Sequence, residues 1–168
     1  MSRRDCFFGW AAATCWALHA ADSIFRLHQP LNLLWACNLA CLGVSAGLLL
    51  GRRSLTAASL LWLVVGVPLW LLDLLGGGEL IPSSLATHLG GLTIGALGLA
   101  QDVFPVGTWW RSVFGAAVLQ ELCRWTTPRS ENLNLAFSVW PGWEALFPSY
   151  AVYRAFLIVL SALIFWIC

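Results

Sequence analysis

Long apolar runs dominate this sequence and leave few ways for it to fold. Only 10% of its 168 residues are charged and 60% are hydrophobic, whereas a soluble domain carries about 25% charged residues. A helix needs about 20 apolar residues to cross a bilayer, and segments with proline, glycine or paired arginines separate runs of about that length. We therefore predict an all-α protein, a polytopic transmembrane bundle of about six helices. The predicted helices cover residues 6–24, 31–50, 54–75, 83–104, 107–125 and 149–168.

These helices use most of the chain, so residues 1–168 are predicted to form a single transmembrane helical domain. The apolar run after Arg3 and Arg4 could instead belong to a signal peptide. Trp10 and His19 lie within that run, and no small-x-small cleavage site follows it, so a first helix is the better interpretation. The arginine pair near the N-terminus and the pair at residues 52–53 favour a cytoplasmic N-terminus.

Charge and cysteine spacing exclude several classes of function. The formal net charge of +1 gives no reason to expect nucleic acid as a partner, and membrane lipid is the partner that we expect. The six cysteines lack CxxC spacing, which argues against a zinc site or a disulfide framework. We expect neither a metal nor a cofactor. The alternative of a haem between His19 and His88 lacks a CxxCH motif.

Polar residues gather on one face of the predicted membrane bundle. Helices one, three and five end on the face where helices two, four and six begin, and the long loop before helix six lies there too. Intramembrane polar residues are costly and often functional, so we expect a site near this face. The residues on it are His19, Cys37, Asn38, Asp73, His88, Glu121, Arg124, Asn134, Tyr150, Tyr153 and Arg154.

His88 is the strongest candidate for a functional role. It shares a helical face with Gly91, Gly95 and Gly98, at spacings of three, seven and ten residues. Small residues allow helices to approach closely, so this face should point into the bundle. The alternative is a buried histidine that hydrogen bonds to a neighbouring helix without taking part in a reaction.

The other candidates each have a structural alternative as well. The Cys37 thiol beside a histidine could act as a nucleophile, or it could simply pack in the membrane. Glu121 and Arg124 are three residues apart, a spacing that suits an ion pair as well as a site. Asp73 and Asn134 are candidates either to orient His88 or to bind a lipid headgroup.

Four short motifs, in their order along the chain, resemble those of a known family. They are PLNL at 30–33, LWLLD at 69–73, THLGG at 87–91 and NLNL at 132–135. The series is similar to that of the bacterial YwaF-type integral membrane proteins over about residues 28–168. These proteins are grouped with eukaryotic six-helix lipid acyltransferases that use a Cys and a His, and the androgen-induced-gene lipid hydrolases look like more distant members.

The resemblance implies a lipid acyl hydrolase or acyltransferase embedded in a bacterial inner membrane. Cys37 would be the nucleophile and His88 the base, with Asp73 or Asn134 orienting the imidazole. Amide donors such as those of Asn38 would hold the oxyanion.

The sequence also departs from the family pattern. Leu34 stands where the family's cysteine is usual, with Cys37 a turn later, and Asn32 replaces a residue that is often His. A non-enzymatic function, as a small helical subunit or scaffold that packs against another membrane protein, fits the same sequence. It predicts that Cys37 and His88 can be replaced without loss of function.

Overall fold

The computed structural model describes residues 2–167, and the regular structure in that range is helical throughout. The helices are α1 (Arg3–Ala21, continued by a π turn at Asp22–Arg26), α2 (Ala36–Leu49), α3 (Arg53–Leu75), α4 (Pro82–Leu85, a π turn at Ala86–Gly90, and Gly91–Leu99), α5 (Thr108–Thr126) and α6 (Tyr150–Ile167). The prediction of an all-α protein is confirmed for these residues. Cys168, the last residue of the predicted sixth helix, lies outside the described range.

The chain divides into two compact units, residues 1–108 and 109–168. In the first unit, α2 packs against α1 and α3, and α4 packs against α1, α2 and α3. The second unit contains most of α5, all of α6 and the segment between them. That segment has only short 3₁₀ turns, at Arg129–Glu131, Leu133–Leu135 and Glu144–Leu146.

Two of the described helices, α3 and α6, are long and apolar enough to cross a membrane. The shorter α2 is also apolar. Length and composition therefore support two of the six predicted spans, which is weak evidence for membrane association. The polytopic bundle itself is not confirmed.

A capping box and two ion pairs fix one end of the first unit. The Ser2 hydroxyl accepts from the Asp5 amide at 3.0 Å, and the Asp5 carboxylate accepts from the Ser2 amide at 3.2 Å. Arg53 pairs with both Asp5 and Asp102, each at 3.2 Å. Burial raises the pKa of Asp5, but its hydrogen bonds with Ser2 and the charge of Arg53 outweigh that effect and hold the pKa below its ordinary value. These residues thus link α1, α3 and the end of α4.

The second helix begins later than predicted. Residues 31–34 belong to a 3₁₀ turn, Pro30–Leu34, and Trp35 then adopts an extended conformation with φ −59° and ψ 137°. The Asn38 side chain donates to the Asn32 carbonyl at 2.7 Å and so satisfies an acceptor of that turn. The sequence around the break is apolar except for Asn32 and Asn38 and does not mark it, so α2 starts at Ala36 instead of residue 31.

The fourth helix ends earlier than predicted, at Leu99 instead of residue 104. Arginine side chains bind the carbonyl groups of its last turn: Arg4 donates to Leu97, and Arg53 donates to Gly98 at 3.4 Å. Basic side chains near a helix C-terminus satisfy carbonyls that would otherwise need another helical turn.

Glycines allow the helices of the first unit to approach closely. A Cβ atom on Gly47 of α2 would lie 2.6 Å from the Thr56 backbone nitrogen of α3. On α4, added Cβ atoms would lie 3.1 Å from Cys41 Sγ at Gly91 and 2.9 Å from Leu48 at Gly98. The predicted inward glycine face of α4 is therefore confirmed, as is the burial of His88 on it.

Candidate functional site

The candidate site lies where the end of α1 meets the start of α4. Both helices contain a π turn there, at Asp22–Arg26 and Ala86–Gly90. Single π turns within helices are rare and frequently occur at functional sites. His19, Ser83 and His88 lie together in this region of the first unit. The two imidazoles are close enough to interact electrostatically.

His88 is held by its own helix and by α3. Its side chain is 6% exposed, its Nδ1 lies 2.8 Å from the Ser84 carbonyl oxygen, and its ring stacks on Trp70 with centroids 4.5 Å apart. Because a carbonyl can only accept, Nδ1 must carry the proton of the neutral imidazole. The lone pair of the neutral ring is then on Nε2, which is the state that a general base requires.

Cys37 packs against α3 at Gly66, one helical turn from Trp70. A Cβ atom on Gly66 would overlap the Cys37 Sγ, and Gly66 is four residues before Trp70, the residue that stacks on His88. One turn further into the bundle, Cys41 contacts Gly91. Among the described residues no hydrogen bond joins Cys37 to His88, so their catalytic pairing stays a prediction.

The other predicted residues of the first unit have different surroundings. Asn38 is buried and donates to the Asn32 carbonyl at 2.7 Å, while its Oδ1 has no hydrogen-bond partner among the described residues. Asp73 is exposed and lies beside the Gly78 turn that follows α3. The α3 residue that contacts the His88 ring is Trp70, which the sequence analysis did not select.

A hydrogen-bonded chain joins four residues across α1 and α4. The Ser83 Oγ lies 2.5 Å from Asp22 Oδ2 and 2.9 Å from His19 Nδ1. Arg26 binds both oxygens of Asp22 through Nε and Nη2. A carboxylate can only accept, so the Ser83 hydroxyl donates to Asp22 and the His19 Nδ1–H donates to Ser83.

Sequence reasoning selected His19 but missed Asp22, Ser83 and Arg26 as members of one cluster. His19, Asp22 and Arg26 occupy positions i, i+3 and i+7 of α1, and this spacing could have indicated a shared polar face. Ser83 is separated from His19 by 64 residues, and nothing in the sequence indicated that contact.

The predicted residues of the second unit link α5 to the connecting segment and to α6. Asn134 donates to Cys123 Sγ at 3.2 Å, and Gln120 donates to the Asn134 and Leu135 carbonyls. Glu121 forms its ion pair with Arg154 instead of Arg124. The Arg124 guanidinium lies over the Tyr150 ring, 5.7 Å from its centroid.

The described residues contain no group of three or more His, Cys, Asp or Glu side chains that could hold a metal ion. A scan against protein-family models, a search of curated proteins and a search of solved structures all found no match. The resemblance to the YwaF-type proteins is therefore still a hypothesis. The fold defines an all-helical protein with two candidate membrane-spanning helices.

Proposed function

We propose that this chain is an integral membrane protein of six helices that carries out acyl transfer or acyl hydrolysis on a membrane lipid. The exterior of the helices supports the membrane location. On α6, apolar side chains such as Ile158, Val159 and Leu163 are exposed, and Tyr153 and Phe165 are the buried residues. Polar residues such as His19, meanwhile, are buried. A helix that is apolar on nearly all sides suits contact with lipid.

The observation that carries the acyl chemistry is the contact of His88 Nδ1 with the Ser84 carbonyl, from which the tautomer of His88 follows. With Nδ1–H bound to the Ser84 carbonyl, Nε2 is left to accept the proton of a thiol. In the proposed reaction Cys37 loses its proton to His88, and its sulfur attacks the ester carbonyl. The alcohol part of the lipid leaves with the proton from His88. Water or a second lipid then takes the acyl group from the sulfur.

Labelling with a reactive lipid tests this proposal. Detergent-purified protein is treated with an acyl fluorophosphonate and with a thiol-reactive lipid analogue, and peptide mass spectrometry locates each adduct. We expect the thiol-reactive analogue to modify Cys37, and His88→Asn to reduce that modification about tenfold or more. General-base catalysis contributes about 10²–10⁴-fold, and an Asn amide at this position keeps a donor for the Ser84 carbonyl while it removes Nε2.

Cys41→Ala is the matched control, because Cys41 is buried one turn from Cys37 on the same helix. It should leave the modification of Cys37 unchanged. Modification of Cys37 that is absent, or equal in the His88→Asn protein, would remove the acyl proposal.

The second candidate function is that of a non-enzymatic helical subunit or scaffold for another membrane protein. The packing of the Cys37 thiol against Gly66 favours it, because a cysteine can serve there as a small apolar side chain. The exposed apolar surface of α6 would suit a protein partner as well as lipid. Modification of Cys37 that is absent, or unchanged in the His88→Asn protein, would favour this function.

For the location of the protein, we propose the bacterial inner membrane with a cytoplasmic N-terminus. The arginines near the N-terminus and at residues 52–53 support this orientation through the excess of basic residues on cytoplasmic sides.

A further inference from the structure

An open groove lies beside the hydrogen-bonded chain, between the end of α1 and the start of α4. Its walls include Leu18, Phe25, Pro82 and Ala86. Leu18 is 59% exposed and Phe25 is 77% exposed, so apolar surface is available along the groove. One end of it is polar and contains Asp22, Arg26 and Ser83. The groove is thus amphipathic, with an apolar wall and a polar end.

The polar end is already fixed before any ligand binds. Ser83 accepts from His19, which is buried, and donates to Asp22. Asp22 in turn accepts from the Nε and Nη2 groups of Arg26. A site whose polar groups are held in place loses less conformational freedom on binding than a mobile one.

Arg26 is the group at this end that can still donate to a ligand. A guanidinium has five N–H donors, and the hydrogen bonds to Asp22 come from Nε and Nη2, so Nη1 is left to bind another acceptor. The Arg26 side chain is 58% exposed. Phosphate oxygens are the acceptors that match a guanidinium best.

The local charge favours a lipid over a free anion. Asp22 and Glu79 are both close enough to interact electrostatically with Arg26, so these three side chains together carry a net charge of −1, which repels a free anion. Inorganic phosphate should therefore bind weakly, whereas a phospholipid would gain most of its affinity from the apolar wall.

We propose that this groove binds a phospholipid, with an acyl chain along Leu18, Phe25 and Ala86 and with the phosphodiester at Arg26. Neither Cys37 nor His88 lines the groove, and the inference does not depend on acyl chemistry. It does depend on the proposal that the protein resides in a membrane.

Native mass spectrometry of the detergent-purified full chain tests this inference. The probe is dioleoyl phosphatidylglycerol, titrated into wild-type protein, Arg26→Gln and Ala86→Trp. Loss of one charge-assisted hydrogen bond should lower retention in Arg26→Gln roughly tenfold or more. The indole in Ala86→Trp should fill the groove and lower retention at least as much. Inorganic phosphate should neither bind detectably nor compete.

Arg52→Gln and Leu55→Trp are the matched controls, because both change exposed residues at the opposite end of the first unit. They should retain the lipid as the wild type does. Equal retention in all variants would overturn the groove site, as would phosphate that competes equally with the lipid. Thermal unfolding of each variant shows whether it is folded. If Ala86→Trp does not fold, the lipid retention of Arg26→Gln tests the groove site by itself. Modification of Cys37 in the same samples decides the acyl proposal separately.

Discussion

The contact between Gly66 and Cys37 predicts an energetic coupling between two helices. A methyl group on Gly66 would overlap the Cys37 Sγ, whereas the next nearest atom, the Cys37 Cβ, would be at 3.7 Å. The overlap thus involves one sulfur atom and no backbone. Cys37→Ala would remove that sulfur and leave ordinary van der Waals contact.

The magnitude follows from the kind of atom that must move. Overpacking a core by one methyl group typically costs about 1–3 kcal/mol. The sulfur is the end of a short side chain that can change rotamer, so we expect the lower part of this range, about 1–2 kcal/mol, for Gly66→Ala. For a chain of this size, that loss lowers Tm by roughly 2–8 °C. In the Cys37→Ala protein, the same change should cost close to nothing.

The assay is thermal unfolding in detergent of the wild type, the two single variants and the double variant. Gly47→Ala is the control: its new methyl group would meet the Thr56 backbone nitrogen at 2.6 Å, so Cys37→Ala should not rescue it. A double-mutant cycle then isolates the coupling between positions 37 and 66. An equal loss from Gly66→Ala with and without the sulfur would show that Cys37 does not pack there. It would also remove the structural basis for placing Cys37 one helical turn from Trp70, the residue that stacks on His88.

Two further predictions concern the opposite end of the first unit and the membrane topology. The pKa of Asp5 is below its ordinary value, so its stabilising effect should be present above pH 4 and disappear as the pH falls further. Asp5→Asn should accordingly lower Tm at pH 7, and the difference from wild type should shrink as the pH falls below 4. A constant difference would contradict the ion pair with Arg53. For topology, Ser130→Cys in a cysteine-free chain should react with an impermeant maleimide in intact cells. Arg52→Cys should react only after permeabilisation, and the reverse pattern would overturn the proposed orientation.

Local periodicity in the sequence predicted the helical class and one helix face correctly. The spacing of Gly91, Gly95 and Gly98 from His88 correctly indicated an inward face, because side chains at i, i+3 and i+7 lie on the same side of a helix. Most helix ends were also close to prediction: α3 and α5 begin and end within one residue of the predicted bounds. Prolines and glycines mark several of these ends in the sequence.

Contacts between distant residues could not be predicted in the same way. The break at Trp35 lies within a mostly apolar run, where hydropathy cannot distinguish a helix from a 3₁₀ turn. The early end of α4 depends on Arg4, which is 93 residues away from the carbonyl that it binds. The cluster of His19, Asp22 and Ser83 likewise forms only after α1 and α4 have packed.

A backbone carbonyl near the π turn of α4 gives a physical reason for the state of His88. Ser84 lies two residues before the turn that begins at Ala86, and its carbonyl accepts from the Thr87 hydroxyl at 3.0 Å and from the His88 Nδ1 at 2.8 Å. Since a carbonyl can only accept, this contact holds the proton on Nδ1 and leaves the lone pair on Nε2. Because that acceptor is backbone, no single side-chain substitution in the cluster removes it, and the base form of His88 depends on the fold of α4.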